Sequence, residues 1–427
     1  MTVAPLLLLL AAAPATPPPA PVAPQALTLD DAVRLARENA PALRAARASA
    51  DAAGARADQS LAPLLLQLSG SAGLERATSN PSLFGSPRQR WDMANSLSLS
   101  ATATQTLVDL PAFARYGAAR ASARAQEGSS RAAELDAILA VRTAFFQARA
   151  SKELVGVARA ALDNQEAHYR QIEAFVQQGL RPPIDLAQAR TDRANARAQL
   201  VGAENDYATA RVRLNQAMGV IGPTDYEVAD PPFAPIPGED RPLDPLLSEA
   251  IAARPDVAAM DAQVTAAERS LDAARGGWFP KVGLSAGASE GGAVGSDLTW
   301  NAYVGGTATW ALFQGGLTRA QVAEARALLE AQRAQRDQLV QQVRGDVDTA
   351  RLGVVAALAL LDADREAVEA ARDRLRLAEA RYANGAGSAL ELSDAQLART
   401  NAEAQLVQAE YKLAQARAAL LRALGRA

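Results

Sequence analysis

One offset carries a large part of this chain onto another part of itself. The apolar positions Val141, Ala144, Ala148, Ser151, Val155, Leu162, Tyr169, Ile172 and Val176 lie on one heptad seam, in steps of three, four or seven. Moved by 206 residues, the distance from Val141 to Val347, they fall on Val347, Ala350, Val354, Ala357, Leu361, Val368, Leu375, Ala378 and Tyr382. Each copy has one polar break, Gln165 in the first and Asp364 in the second. The same offset takes Gly179 onto Gly385 and Leu186 onto Leu392. It then takes Leu200, Tyr207, Leu214 and Gly219 onto Leu406, Leu413, Leu420 and Gly425. Any two heptad helices align at some offset, but a helix, a turn and a second helix that share one offset are a duplicated hairpin.

A seam of period 3.5 implies coiled-coil packing, and its many alanines let helices approach closely. The helices are expected at about 114–178 and 185–218 in the first copy and at about 317–384 and 388–424 in the second. At ~1.5 Å per residue the first is roughly 95–100 Å long. It outreaches its return helix and needs further neighbours. Gly179 to Pro183 and Asn384 to Ser388 supply the turns, with glycine stopping one helix and proline or serine starting the next.

Ahead of each hairpin the period changes from 3.5 to 2. Trp300, Ala302, Val304, Ala308, Trp310 and Leu312 alternate with Thr299, Asn301, Tyr303, Thr307 and Thr309. Similar alternation predicts strands at about 64–76, 92–107, 281–290 and 298–312. Each is apolar on one face and small and polar on the other, with the length of a membrane-barrel strand. All four tryptophans, Trp91, Trp278, Trp300 and Trp310, lie at strand borders. At ~3.3 Å per residue and ~45° tilt, Trp300 and Trp310 are about 23 Å apart along a membrane normal. That suits an apolar band of about 25 Å with an aromatic girdle at each edge. Four strands cannot close a lined barrel, so the fold class expected is a mixed α+β membrane protein, duplicated internally, whose β-barrel is completed by a homotrimer.

Composition narrows the function. The chain has 44 Lys and Arg against 47 Asp and Glu, a formal charge of −3, and so offers no global basic field for nucleic acid. It has no cysteine and a single histidine, His168. Thiol chemistry, cysteine-type metal sites and His-rich metal centres are thereby excluded, and no cofactor or metal is expected. The one enzyme-like constellation is His168 among Asp163, Glu166 and Glu173, and it sits off the seam on a heptad helix. A soluble coiled-coil scaffold explains the heptads but not the period-2 segments. Residues 1–24 read as a signal peptide and Pro-rich leader, and 220–245 as a Pro-rich connector between repeats at 25–219 and 246–425.

The order strand, strand, long hairpin, twice, resembles the TolC-like outer membrane efflux proteins. Leu29-Asp30-Asp31-Ala32-Val33 with Asn39-Ala40-Pro41 is similar to that family's opening helix. Ala253-Arg254-Pro255 opens the second half in the same manner. Gly277-Trp278-Phe279-Pro280, Trp310 to Gly316, and Arg381-Tyr382-Ala383-Asn384-Gly385 resemble its strand entry, strand-to-helix join and hairpin tip. The resemblance implies a homotrimeric channel-tunnel in outer membrane lipid that does no chemistry itself. Its helices would extend into the periplasm and meet a periplasmic adaptor driven by an inner-membrane pump, in a tripartite efflux pump or a type I secretion system whose cargo would be drugs, metals, small molecules or secreted polypeptide. A periplasmic adaptor is the alternative reading, with one hairpin rather than two. The resemblance also implies a gate at the tips, with acidic rings at Asp185, Glu391 and Asp394 and a restraining Tyr382. Gly387 stands where some relatives carry a restraining arginine, and Arg181, its repeat counterpart, is the candidate substitute. The bland reading of these acids is a favourable charge in the first turn of a helix.

Overall fold

The computed structural model describes residues 26–79, 92–229, 234–384 and 386–427. The expected leader, Trp91 and Gly385 lie outside the described residues. The first half runs α1 (Leu29–Asn39), α2 (Pro41–Leu61), β1 (Gln67–Ser79), β2 (Asp92–Val108), α3 (Leu110–Gln177) and α4 (Pro183–Met218). The second repeats that order as α5 (Leu243–Ala253), α6 (Pro255–Gly276), β3 (Lys281–Ala293), β4 (Thr299–Thr309), α7 (Leu317–Ala383) and α8 (Ala389–Ala423).

Local chemistry sets these boundaries. Asp109 caps α3 by accepting from the Ala112 amide at 3.0 Å, and Pro111 sits in its first turn. The helix therefore starts at Leu110, ahead of the expected 114. Strand β1 starts later than expected. Leu64 belongs to a 3₁₀ turn, Ala62–Leu64, closed by Gln67 Nε2 donating to the Ala62 carbonyl at 2.6 Å. Strand β4 stops at Thr309 rather than 312, because its partner β3 begins opposite it at Lys281. Pro280, the residue before that, has no N–H with which to continue the ladder.

The four strands form one antiparallel sheet in the order β1-β2-β3-β4. Its register sorts side chains into two faces. Leu68, Ala103, Ala286 and Val304 align in one cross-strand row, and Ala101, Ala288 and Ala302 in the next. On the opposite face Ser71, Ser100, Ser289 and Asn301 align, as do Ser69, Thr102, Gly287 and Tyr303. Ser71 and Ser100 hydroxyls lie 2.8 Å apart. The apolar face is exposed in the protomer: Leu68, Leu74, Trp300 and Val304 are each about three-quarters accessible. The edge strands β1 and β4 have one partner each.

Below the sheet, each long helix is covered by two shorter ones. Helix α3 packs against α2 and α4, and α7 against α6 and α8; α3 also contacts α6 and α8 and so joins the halves. Two apolar cores lie at mid-length. One gathers Val141, Phe145, Leu214 and Met218 with Ala32 and Ala36 of α1. The other gathers Val347, Val354, Leu413 and Leu420 with Leu246 and Ala250 of α5. Each repeat seats the end of its hairpin on a helix junction. Gly219 and Gly425 take left-handed φ of 71° and 73°. A Cβ on Gly219 would come within 2.7 Å of the Asn39 carbonyl, and one on Gly425 within 3.0 Å of Ala253. Glycine satisfies both demands at once.

The repeat offset is not constant. Pro41 and Pro255, both at the start of a helix, are 214 residues apart, whereas Asp185 and Glu391 are 206 apart. The change falls between paired strands: Ser79 to Asp92 is a longer connection than Ala293 to Thr299. Insertions are best tolerated at such loop tips.

Candidate functional site

The tips of the two hairpins meet in a small core of their own. Tyr169 and Ile172 of α3, Ala189 of α4, Leu375, Ala378 and Tyr382 of α7, and Leu392 and Ala395 of α8 are buried together. Just above it, Gln165 Nε2 donates to Gln396 Oε1 at 3.1 Å. The polar break in the first seam is thus a cross-hairpin hydrogen bond.

Three of the predicted tip residues come together. The Arg181 guanidinium lies 5.0 Å from the centroid of the Tyr382 ring, and its Nη1 is 3.6 Å from Asp185 Oδ2. Arginine above a tyrosine face is a cation–π contact, and the carboxylate beneath it holds the guanidinium in place. Glu391 sits elsewhere in the tip. Its carboxylate is 3.3 Å from Arg381 Nε, and its amide donates to the capping Ser388 hydroxyl at 3.1 Å. Asp394 is exposed on the next turn of α8. Asp185 and Glu391 both occupy first helical turns, where the helix dipole favours a negative charge.

Gly387 has a packing reason. A Cβ there would lie 3.1 Å from the Tyr382 amide nitrogen and 3.2 Å from Arg381 Cβ. A side chain at 387 would press on the last turn of α7.

Two tip residues were not singled out from sequence for this role. Arg381 precedes Tyr382 and has no charged counterpart at the 206-residue offset, where Phe175 stands. His168, considered above only as an enzyme candidate, is half-buried with its ring edge-on to Tyr382, centroids 5.9 Å apart at 62°. Burial pulls its pKa below the usual imidazole value; Arg181 adds to that, while Asp192 and Asp185 oppose it. Burial likewise raises the Tyr382 phenol, with Asp185 adding to the shift and Arg181 opposing it. The Tyr382 hydroxyl is buried without a hydrogen-bond partner among the described residues. Of the carboxylates read beside His168, Glu173 accepts a hydrogen bond from Tyr169 at 2.8 Å, and Asp163 and Glu166 are exposed.

At the other end, Trp278, Trp300 and Trp310 are exposed. Trp300 lies on the apolar face opposite Glu290. Trp310 Nε1 donates to the Trp278 carbonyl at 3.0 Å, tying the end of β4 to the turn that enters β3. Among the described residues no helix is long and apolar enough to cross a membrane, and no group of His, Asp and Glu is arranged to hold a metal.

Comparison with known proteins adds to this geometry. A family model described as outer membrane efflux protein matches residues 32–220 and 246–426. The pyoverdine export outer membrane protein OpmQ of Pseudomonas putida is 28% identical over 413 residues, 93% of this chain and 85% of that protein. The toluene efflux pump outer membrane protein TtgC of Pseudomonas putida is 27% identical over 294 residues, 66% of this chain and 58% of that protein. Among solved structures, the Campylobacter jejuni CmeC outer membrane channel superposes with a TM-score of 0.80 at 20% identity, covering 93% of this chain and 85% of that one. VceC of Vibrio cholerae gives 0.79 at 21% identity, with 93% and 96% covered.

Proposed function

This chain belongs to the outer membrane efflux protein family, and from that premise we propose that three copies close one conduit from periplasm to exterior. It is an outer membrane protein, and its function is that of an efflux channel. The observation that carries the trimer is the sheet. It has an exposed apolar face, a hydroxyl-lined opposite face, and two edge strands with unpaired backbone groups. In lipid each unpaired N–H or C=O costs several kcal/mol, so only closure satisfies the edges. Three four-stranded sheets supply a twelve-stranded barrel, with the hydroxyl face inward. The same symmetry rings six hairpins below it.

In this reading the hairpin tips form the constricted end and meet a periplasmic adaptor, which an inner-membrane pump drives. The chain is a passive duct with no chemistry of its own. Asp185, Glu391 and Asp394 each become a ring of three like charges, which favours cations at close range. Tyr382 and Arg181 hold neighbouring hairpins shut. Pyoverdine and toluene are the cargoes named for OpmQ and TtgC. Small organic molecules are accordingly the cargo class we assign to this chain.

The test is extraction from outer membranes followed by planar-bilayer recording. A detergent-resistant trimer that conducts is the expected result. A monodisperse monomer in detergent-free buffer would overturn the barrel.

A further inference from the structure

Charge is unevenly distributed along the molecule. The chain as a whole is slightly acidic, yet helix α3 leaves the sheet with Arg115, Arg120 and Arg124 before its first acid, Glu127. Helix α6 returns to the sheet with Arg269 and Arg275 around a single Asp272, and β3 opens on Lys281. A groove of about 570 Å³ runs between α3 and α6. Its upper lip, next to the sheet, is apolar and includes Phe113 and Phe279. Arg275, level with Pro111, also stands at this lip, and lower down the groove is lined by Arg269, Arg120 and Arg124.

Asp272 is the groove's one carboxylate. It reaches Arg275 at 3.5 Å and Arg269 at 3.7 Å. Among the described residues no carboxylate lies within ion-pair distance of Arg120 or Arg124. The groove therefore keeps a surplus of positive charge, placed directly beneath exposed Trp278, Phe279 and Trp310.

The direction of the side chains matters. Helical side chains tilt toward the helix N-terminus. The N-terminus of α3 is its membrane end, so Arg120 and Arg124 lean up toward the sheet. Phe113 and Phe279 are about half exposed, as they would be at the level of glycerol and upper acyl chains. The groove also lies inside one protomer. Helix α3 is flanked by α2 and α6 by α7, so the edges left for neighbouring subunits are elsewhere. A second groove, lined by Ser270, Ala273, Ala274 and Gly277 of α6, runs on another stripe of that helix. It opens beside Lys281 and Thr309, which belong to the hydroxyl face of the sheet. The arginine groove runs on the other stripe and shares only Phe279 with this one, which in the channel reading puts it on the lipid side of the wall.

We infer that the α3–α6 groove binds the headgroup of an anionic phospholipid of the inner leaflet. The phosphate is held between Arg120 of α3 and Arg269 of α6, with Arg275 above and Arg124 below adding positive charge, and the acyl chains lie against Phe113 and Phe279. This rests on the channel reading above, since it needs the sheet in the bilayer. Planar guanidinium donors match phosphate oxygens in pairs, which ammonium groups do not. Three such grooves would pin the trimer at a fixed depth in the membrane.

The test uses the purified full-length channel in detergent with equal phosphatidylglycerol and phosphatidylethanolamine, and counts bound lipid by native mass spectrometry. Phosphatidylglycerol should be retained preferentially. Arg120→Gln and Arg269→Gln should each lower that retention about fivefold, and Asp272→Asn should raise it. Arg372→Gln, on the exposed face of α7 far from the sheet, should leave it unchanged. Equal retention of the two lipids by the unaltered protein, or equal loss in Arg372→Gln, overturns the inference. So does displacement of the lipid by excess inorganic phosphate, which would mark a site for free phosphate instead. Planar-bilayer recording on the same samples separates the two levels. A conducting channel without headgroup preference removes only this inference, whereas a chain that forms no channel removes the reading beneath it.

Discussion

The Arg181 guanidinium rests 5.0 Å from the centroid of the Tyr382 ring, so the turn of the first hairpin is fastened to the last turn of α7 in the second. Between them, these two residues join the halves of the duplication at the hairpin tips. Asp185 holds the same arginine at 3.6 Å.

Arg181→Ala and Tyr382→Ala should each raise single-channel conductance by loosening the tip. The contact is partly exposed and is worth about 0.5–1 kcal/mol, so the closed state should weaken rather than vanish. Tyr382→Phe should behave as the unaltered protein, because the hydroxyl has no hydrogen-bond partner among the described residues. If the phenylalanine variant opens as far as the alanine variant, the hydroxyl reaches across to a neighbouring subunit.

The acids are expected to act on selectivity. Replacing Glu391 and Asp394 together with Ala removes two of the three proposed rings and should lower cation preference and weaken block by divalent cations in planar bilayers. Unchanged selectivity and unchanged block would sink the acidic-gate assignment while leaving the channel standing.

Acid should loosen the same tip. His168 has a pKa held below about 6.5, chiefly by burial. Its neutral form is therefore the one the folded contact favours. That contribution is complete above the ordinary imidazole pKa and is lost as pH falls through the lowered folded value. Arg181, Asp185, Asp192 and Tyr382 are the groups around it. Conductance should rise on acidification from about pH 7 to about pH 5, and His168→Phe, which keeps the ring but cannot titrate, should show a smaller rise. An identical rise in both proteins would assign the effect to the carboxylates.

The two faces of the sheet should respond differently to charge. Val304→Arg, near the bilayer midplane, should impair membrane insertion by roughly 2–4 kcal/mol, and Ala308→Arg, beside the Trp310 girdle, by less. Thr307→Arg, on the hydroxyl face, should be better tolerated. Equal loss of outer-membrane protein from both kinds of variant would contradict the assignment of faces.

Arg254 should matter for stability well away from the tip. Its side chain is buried and bonded to Asp256 at 2.6 Å and Asp346 at 3.0 Å. Burial alone would raise the Asp256 carboxyl, but the Arg254 bonds outweigh it and hold the pKa below the usual value. Arg254→Ala should cost about 1–3 kcal/mol, because Asp346 loses its cation and Asp256 keeps only Arg422 at 4.0 Å. Arg254→Ala combined with Asp256→Ala and Asp346→Ala should recover much of that in thermal melts, since Ala40 stands at the matching junction of the first repeat. The Asp256 contribution is full above about pH 4 and should fade in stronger acid. A single variant that melts like the unaltered protein would show the cluster to be inert.

The sequence by itself determined the hairpins, the strands and the faces of the sheet. These rest on periods of 3.5 and 2, which are properties of local backbone geometry and survive in any environment. The duplication was visible for the same reason, since identical seams need no tertiary information to align. Tertiary structure decided the rest. That β4 ends at Thr309 depends on where its neighbour β3 begins. That Glu391 pairs with Arg381, while Arg181 goes to Tyr382, depends on how the two tips dock. That Arg120 and Arg269 share one groove depends on α3 lying beside α6. Such pairs join residues far apart in the chain, and their choice is set by the axial placement of one packed helix on another. A repeating apolar seam specifies that two helices pack, but it does not specify which polar side chains will meet along their flanks.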